Sequence, residues 1–262
     1  LTASSETQAH RNIAIGSYAL ETLNARGSDN IAIGFEALET ANHADVDVNI
    51  AIGNYVLDDV GGAGVWACVG IGHNALTAVN NAGAVGSTAI GYYSLASLTS
   101  GAQNTAIGYQ SQDANTTGSW NTTVGYASGG ALVAGSNSNT AIGANSLSAG
   151  NNASTDNNTC VGSSSGDVIT TGHTNTIIGA DSDPSAAGGT NQATLGYGVT
   201  GVANNSVTLG NTSVDAVYMA QDKRATMLSG EIEVVQASDV NAPVAFIRTE
   251  NSSNYSTSVV NI

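Results

Sequence analysis

The stretch Asn12-Ile13-Ala14-Ile15-Gly16 decides the fold, because the chain repeats its pattern along most of its length. A β-prone residue, a small residue, an aliphatic residue and glycine recur twelve times, with steps of 18, 19, 19, 19, 17, 17, 18, 19, 17, 17 and 14 residues. The twelve glycines are Gly16, Gly34, Gly53, Gly72, Gly91, Gly108, Gly125, Gly143, Gly162, Gly179, Gly196 and Gly210. A repeat of this length predicts a solenoid, in which each copy forms one rung and stacks on its neighbours.

Two columns of side chains share one face of each predicted strand, since positions two apart in a strand point the same way. The residue before each glycine forms the aliphatic column: Ile15, Ile33, Ile52, Ile71, Ile90, Ile107, Val124, Ile142, Val161, Ile178, Leu195 and Leu209. The residue two places earlier forms the Ile/Thr column: Ile13, Ile31, Ile50, Val69, Thr88, Thr105, Thr122, Thr140, Thr159, Thr176, Ala193 and Val207.

Between them lies the small column, which is alanine in six copies and faces the other way. None of these columns contains a charged residue. A strand with one wet face would alternate with polar residues, so we expect the strand to be covered on both faces. We expect the Ile/Thr column to point inward, which argues against an ice-binding role for its threonines.

Four residues before the glycine stands asparagine in eight copies, and this position forms the Asn column. Its asparagines are Asn12, Asn30, Asn49, Asn104, Asn121, Asn139, Asn158 and Asn175. Identical amides stacked about 4.8 Å apart can hydrogen-bond along the column. After the glycine, which we expect in a positive-φ turn or a close backbone approach, a small residue and often leucine follow. The pattern predicts two short strands per rung and then a polar loop of variable length.

These repeats resemble the head repeat of YadA-like trimeric autotransporter adhesins, which carries a Ser-Val-Ala-Ile-Gly type motif and also occurs in bacteriophage tail fibres. The resemblance covers roughly Asn12 to Val214, and the last copy, Asn205-Ser206-Val207-Thr208-Leu209-Gly210-Asn211, is nearest to the adhesin form. It implies a left-handed parallel β-roll, three chains side by side, and a rod that binds a host or surface. The rungs here are longer than adhesin rungs, so we expect the extra residues in outer loops.

Charge excludes several classes of partner. The net charge is −15, and no Lys or Arg occurs between Arg26 and Lys223. Nucleic-acid binding needs clustered cations, and adhesion to anionic lipid needs them too. There is no apolar run of membrane-spanning length. We therefore predict no nucleic-acid partner, no membrane insertion and no cofactor.

The remaining candidates for chemistry are few. The pairs Asp45/Asp47, Asp58/Asp59 and Asp181/Asp183 could serve as glycosidase carboxylates or Ca²⁺ ligands, but they lack calcium-loop spacing and we interpret them as solvated loop acids. The histidines His10, His43, His73 and His173 are scattered among loops. Cys68 and Cys160 lie about five rungs, or roughly 24 Å, apart, too far for a disulfide, so we predict free buried thiols.

The chain divides by composition into three parts. Residues 1–11 are predicted to join an upstream region, residues 12–214 to form the repeat domain, and residues 215–262 to form a β-rich cap or neck. A cap is expected because the open end of a solenoid is an unpaired strand edge. Both ends suggest a segment of a longer protein, with a further C-terminal part.

Together these features predict an all-β parallel β-solenoid of about twelve rungs of 17–19 residues, roughly 57 Å long. A strand that is apolar on both faces needs a neighbouring chain on one of them; symmetry allows two or three copies, and the resemblance implies a homotrimer. The predicted function is a non-catalytic fibre or adhesin shaft, extracellular on a virion tail or cell surface, meeting a host glycan or receptor through its loops or a tip beyond this segment. The alternatives are an appendage subunit that polymerises into a filament and a polysaccharide-depolymerising tailspike.

Overall fold

The computed structural model describes residues 10–217, except 24–26, 42, 44, 61–63, 80–83, 151–153 and 216. Contacts divide the chain into two compact units, Leu1–Asp215 and Ala216–Ile262. All twelve strands belong to the first unit. The predicted joint at 1–11 lies mostly outside the described residues, as does the predicted cap at 215–262.

The first unit is a parallel β-solenoid with one short strand per rung. In chain order the strands are β1 (Ile13–Ile15), β2 (Ile31–Ile33), β3 (Ile50–Ile52), β4 (Val69–Ile71), β5 (Thr88–Ile90), β6 (Thr105–Ile107), β7 (Thr122–Val124), β8 (Thr140–Ile142), β9 (Thr159–Val161), β10 (Thr176–Ile178), β11 (Gln192–Leu195) and β12 (Ser206–Leu209). Each pairs with its sequence neighbours in a single sheet, in the order of the chain. No helix occurs among the described residues.

Register follows the repeat. Ile107 of β6 pairs with Ile90 on one side and Val124 on the other. A slip by one residue would exchange the two faces of the strand and expose the small buried column. The predicted all-β parallel solenoid is therefore confirmed.

The segment after each glycine is not a second strand, so that part of the prediction is wrong. In the fifth rung Tyr93 and Leu95 have φ of 56° and 50°, and such left-handed residues break the pleat of a strand. The segment still bonds along the stack, because the Leu95 N–H donates to the Ser111 carbonyl at 3.1 Å and the Tyr93 N–H to the His73 carbonyl at 3.0 Å. Each rung thus has one strand and one turn-rich wall.

The interior lies between these two walls. Ala106 from the strand and Leu95 from the turn-rich wall are both fully buried. The buried apolar residues form two clusters, one running from Leu20 to Ala106 and the other from Leu132 to Ile177. Small side chains on the strand wall face leucines on the other wall, which keeps the roll thin.

The glycine column sets the closest approach between rungs. Gly125 has φ of +138°, and a Cβ placed there would lie 2.5 Å from the Gly143 carbonyl oxygen and 2.6 Å from its carbon. Gly53 is in the same position against Gly72. Only a residue without a Cβ fits both this φ and this spacing.

Candidate interaction surface

The outer face of the strands carries the aliphatic and Ile/Thr columns, and this corrects two expectations. The strand is covered on one face only, because Ala106 is buried while its neighbours Thr105 and Ile107 are partly exposed. The Ile/Thr column therefore points outward, not inward. The aliphatic and Ile/Thr columns share one face and the small column the other, as predicted. The small column is the one that faces the interior, because the leucines of the turn-rich wall already fill most of the space there.

The aliphatic column leaves much of its surface open within a single chain. Ile107 is 37% exposed, Ile142 40% and Leu195 52%. The rest of this column is exposed or half-buried: Ile15, Ile33, Ile52, Ile71, Ile90, Val124, Val161, Ile178 and Leu209. None of the twelve strands contains a charged residue, so the aliphatic and Ile/Thr columns together form an uncharged outer strip. Its eleven rung spacings of about 4.8 Å give a length of roughly 53 Å.

An aromatic column borders this strip at the residues that follow the glycines. Ring centroids are separated by 5.2 Å between Tyr92 and Tyr109 and by 5.3 Å between Tyr109 and Tyr126, with nearly parallel planes. Ring contacts continue the column through Tyr93, which is in the same rung as Tyr92, and through the earlier rungs at His73, Tyr55, Phe35 and Tyr18. Desolvation and the neighbouring Tyr93 and Tyr109 raise the pKa of the Tyr92 phenol.

The Asn column points inward and joins successive rungs. The Asn121 Oδ1 accepts from the Asn139 backbone N–H at 2.9 Å and from its Nδ2 at 3.1 Å, while the Asn121 Nδ2 donates to the Ser136 carbonyl at 2.8 Å. The same contacts link two unbroken runs: Asn12, Asn30 and Asn49; and Asn104, Asn121, Asn139, Asn158 and Asn175. Cys68 and Ser87 stand between the runs, and Ser87 Oγ accepts from the Asn104 N–H at 3.2 Å.

A buried polar layer separates the two apolar clusters at the sixth and seventh rungs. Gln112 takes the place of a leucine, and Thr123 takes the place of an alanine; both are fully buried. The Thr123 hydroxyl lies 2.7 Å from Ser111 Oγ and 3.4 Å from Gln112 Oε1, and Gln112 Nε2 donates to Asn104 Oδ1 at 3.3 Å. Because each of these polar groups has a partner, the layer interrupts the apolar core without an unpaired group.

The predicted loop acids are distributed along the stack. Thr77 donates to Asp58 Oδ1 at 2.6 Å, and burial is the main cause of a raised Asp58 pKa. Burial and the neighbouring Asp167 and Asp181 raise the Asp183 pKa to about 6. In the part of the chain that the structure describes, no three His, Cys, Asp or Glu side chains form a group that could hold a metal ion.

The other candidate residues have separate surroundings. His73 lies within the aromatic column, and His43 Nδ1 lies 3.8 Å from Asp45. His10 and His173 are exposed. Arg11 pairs with Asp29 on the surface of the first two rungs.

Cys68 and Cys160 are free and buried, which confirms that prediction. Burial raises their pKa values to about 11 and about 12. Cys68 fills the Asn column and donates its thiol to the Ala84 carbonyl at 3.0 Å. Both thiols are protonated at neutral pH and act as small packing residues.

The aromatic column and the polar layer were not identified from the sequence. A signal for the first was present, because Phe35, His73, Tyr92, Tyr109 and Tyr126 each follow a repeat glycine directly. The only sequence signal for the polar layer is that Gln112 replaces a leucine of the repeat and Thr123 an alanine, and these two residues meet only because neighbouring rungs stack.

No protein-family model matches this chain, and no curated protein is significantly similar to it. The described residues include no helix that could cross a bilayer.

Proposed function

We propose that this chain is the shaft segment of a non-catalytic extracellular fibre or adhesin, carried on a virion tail or a cell surface and used in attachment. The proposal rests on the uncharged outer strip of a stack of twelve strands. Successive rungs bond through backbone, Asn column and glycine column alike, so the stack should resist bending. Its length is set by the number of rungs, which suits a spacer between an anchor and a receptor.

The outer strip also supports the proposed homotrimer. A strip about 53 Å long and three residues, or about 10 Å, wide covers on the order of 500 Å². Contiguous apolar patches of this size on a single chain commonly mark an interaction surface. We propose that sister chains cover the strip in a left-handed roll like that of the YadA-like head repeat.

Substitution in the strip tests the association. In an isolated chain Ile107 is partly exposed, so an aspartate there can be hydrated and the rung should still fold. At an interface between chains the same charge would be buried without a partner, which is strongly unfavourable. We expect Ile107→Asp to give a folded monomer and the parent chain a trimer, as measured by light scattering and circular dichroism.

Thr117→Asp is the matched control, because Thr117 is exposed and lies in the loop before β7. It adds the same charge outside the strip and should leave the trimer intact. A trimer of Ile107→Asp at the parent yield would refute the proposed interface. Release of reducing ends from capsular or lipopolysaccharide glycans by the parent chain would refute the non-catalytic role.

A second candidate function follows from the outward direction of six consecutive threonines in the Ile/Thr column, from Thr88 to Thr176. A regular, rigid array of hydroxyl and methyl groups beside an aliphatic column is also a suitable surface for ordering water on ice. Such a role needs the strip uncovered, whereas the trimer needs it covered. Inhibition of ice recrystallisation by the parent chain, lost in Thr122→Asp, would favour this candidate over the shaft.

A further inference from the structure

Three tyrosines on consecutive rungs form the most regular part of the aromatic column. Tyr92, Tyr109 and Tyr126 each follow a repeat glycine, and their ring planes differ by only 9° and 6°. They are 43%, 44% and 56% exposed. Reagents in solution can therefore reach phenols that already lie against one another.

The backbone fixes the distance between these rings. The Gln110 N–H donates to the Tyr92 carbonyl at 2.8 Å, and the Ala127 N–H donates to the Tyr109 carbonyl at 2.9 Å. The strands before them are paired in register, with Ile90 beside Ile107 and Ile107 beside Val124. Backbone hydrogen bonds at the tyrosines themselves thus fix the spacing of adjacent rungs, and only rotation about the side-chain torsions can separate the rings.

This arrangement favours one particular reaction. Loss of one electron and one proton from a phenol leaves a phenoxyl radical whose unpaired electron is shared with the ring carbons next to the oxygen-bearing carbon. Two such radicals combine through those carbons, and both rings then regain aromaticity by moving the ring hydrogens to the oxygens. The product, dityrosine, contains one new C–C bond and two fewer hydrogen atoms, and an oxidant accepts the two electrons and two protons.

We propose that the Tyr92–Tyr109–Tyr126 segment is an oxidative cross-linking site, at which a one-electron oxidant of the peroxidase and hydrogen peroxide class joins adjacent rungs of one chain through dityrosine. Radical coupling in solution is limited by encounter of two rings. Here the fold has already brought them together, which corresponds to a high effective concentration. The bond joins residues of neighbouring rungs covalently, and it does not depend on the association proposed above.

The test uses the whole chain at low concentration with horseradish peroxidase and hydrogen peroxide. A Tyr93→Phe background is used throughout, because the Tyr92 and Tyr93 rings lie 4.5 Å apart and could couple with each other. We expect dityrosine fluorescence, an intact mass lowered by two hydrogen atoms for each bond, and unchanged mobility on a denaturing gel. Peptic digestion should yield linked peptides that contain Tyr92 with Tyr109 or Tyr109 with Tyr126.

Tyr109→Phe is the decisive variant. It keeps an aromatic ring in the column but leaves Tyr92 and Tyr126 two rungs, or about 10 Å, apart, so the yield of dityrosine should fall on the order of tenfold. Tyr197→Phe is the control, because Tyr197 is 70% exposed and has no ring partner among the described residues. Equal loss in both variants, linkage only between chains, or no linkage with peroxide fully consumed would overturn the proposal.

Discussion

Substitution of a repeat glycine should disrupt the stack far more than substitution of a glycine elsewhere in a rung. In Gly125→Ala the new methyl group would lie 2.5 Å from the Gly143 carbonyl oxygen, at a φ of +138°. The backbone conformation alone costs about 1–3 kcal/mol for a residue with a Cβ. The contact must also force the seventh and eighth rungs apart.

The hydrogen bonds on either side show what that separation removes. Gly143 N–H donates to the Val124 carbonyl at 2.8 Å, and Asn145 N–H donates to the Tyr126 carbonyl at 2.8 Å. Weakening both removes about 0.5–1.5 kcal/mol each. The free energy of unfolding should therefore fall by about 2–6 kcal/mol in total.

Gly86→Ala is the matched control. Gly86 also has a positive φ, of +64°, but the nearest atom to an added Cβ is Gln103 Cγ at 3.7 Å. Ala67 occupies the same position one rung earlier with φ of 57°. This variant should lose only about 1 kcal/mol, the usual penalty of a left-handed residue.

Urea denaturation followed by far-UV circular dichroism measures the difference. With a slope of about 2 kcal/mol/M, the midpoint should fall by roughly 1–3 M in Gly125→Ala and by about 0.5 M in Gly86→Ala. Equal midpoints for the two variants would mean that the glycine carbonyls are not in close contact, and the stacking described above would be wrong.

Three further changes test other parts of the stack. Asn121→Leu should lower the free energy of unfolding by about 2–5 kcal/mol, because the Asn139 N–H and Nδ2 both lose their buried acceptor. Asn121→Ser should cost less, since Ser87 fills the same column, and equal urea midpoints for the two variants would contradict the role of the Asn column. Thr123→Ala should destabilise the chain by about 1–3 kcal/mol, because it removes a hydrogen-bond partner of buried Gln112, and adding Gln112→Leu should restore the stability. Thermal unfolding of the parent, the two single variants and the double variant measures the coupling, and purely additive effects would refute the role of the polar layer. The Asp183 pKa is raised from 3.8 to about 6 by burial and by Asp167 and Asp181, so the folded state binds more protons across that range, and this stability contribution is present below pH 3.8 and lost as pH rises through 6. Asp183→Asn should flatten this part of the stability profile by on the order of 1 kcal/mol, because the side chain is only partly buried and solvent screens its charge. An unchanged profile would refute the raised pKa.

The repeat was enough to predict the sheet but not the direction of its side chains. Ile15 and its equivalents recur before glycine, which defines parallel, in-register strands. A period of two identifies which residues share a face, yet it cannot identify the inner face when both faces are uncharged. That choice depends on the opposite wall, where Leu38, Leu57 and Leu95 fill the interior and leave room only for alanine.

The turn-rich wall shows a second limit. Leucine is rarely found at positive φ, so the sequence does not indicate the positive φ of 50° to 55° at five leucines of this wall: Leu20, Leu38, Leu57, Leu76 and Leu95. The stack imposes this conformation, because inter-rung hydrogen bonds and burial of the leucine side chain together outweigh a local penalty of about 1–2 kcal/mol. Local propensity therefore predicts a strand where the neighbouring rungs require a turn.

The outer strip is best understood by comparing the two sides of one strand. The inner side is completed by this chain alone: the small column is packed by leucines, and the Asn column is satisfied by its own neighbours. None of the residues that the structure describes covers the outer side, although it too lacks any charge, while acidic residues occur elsewhere in the same rungs. A surface that served only to face water would gain solubility from those charges. Their absence from the strands is what another protein surface packed on the strip would require, and an aspartate introduced at Ile107, near the middle of the strip, should prevent that packing.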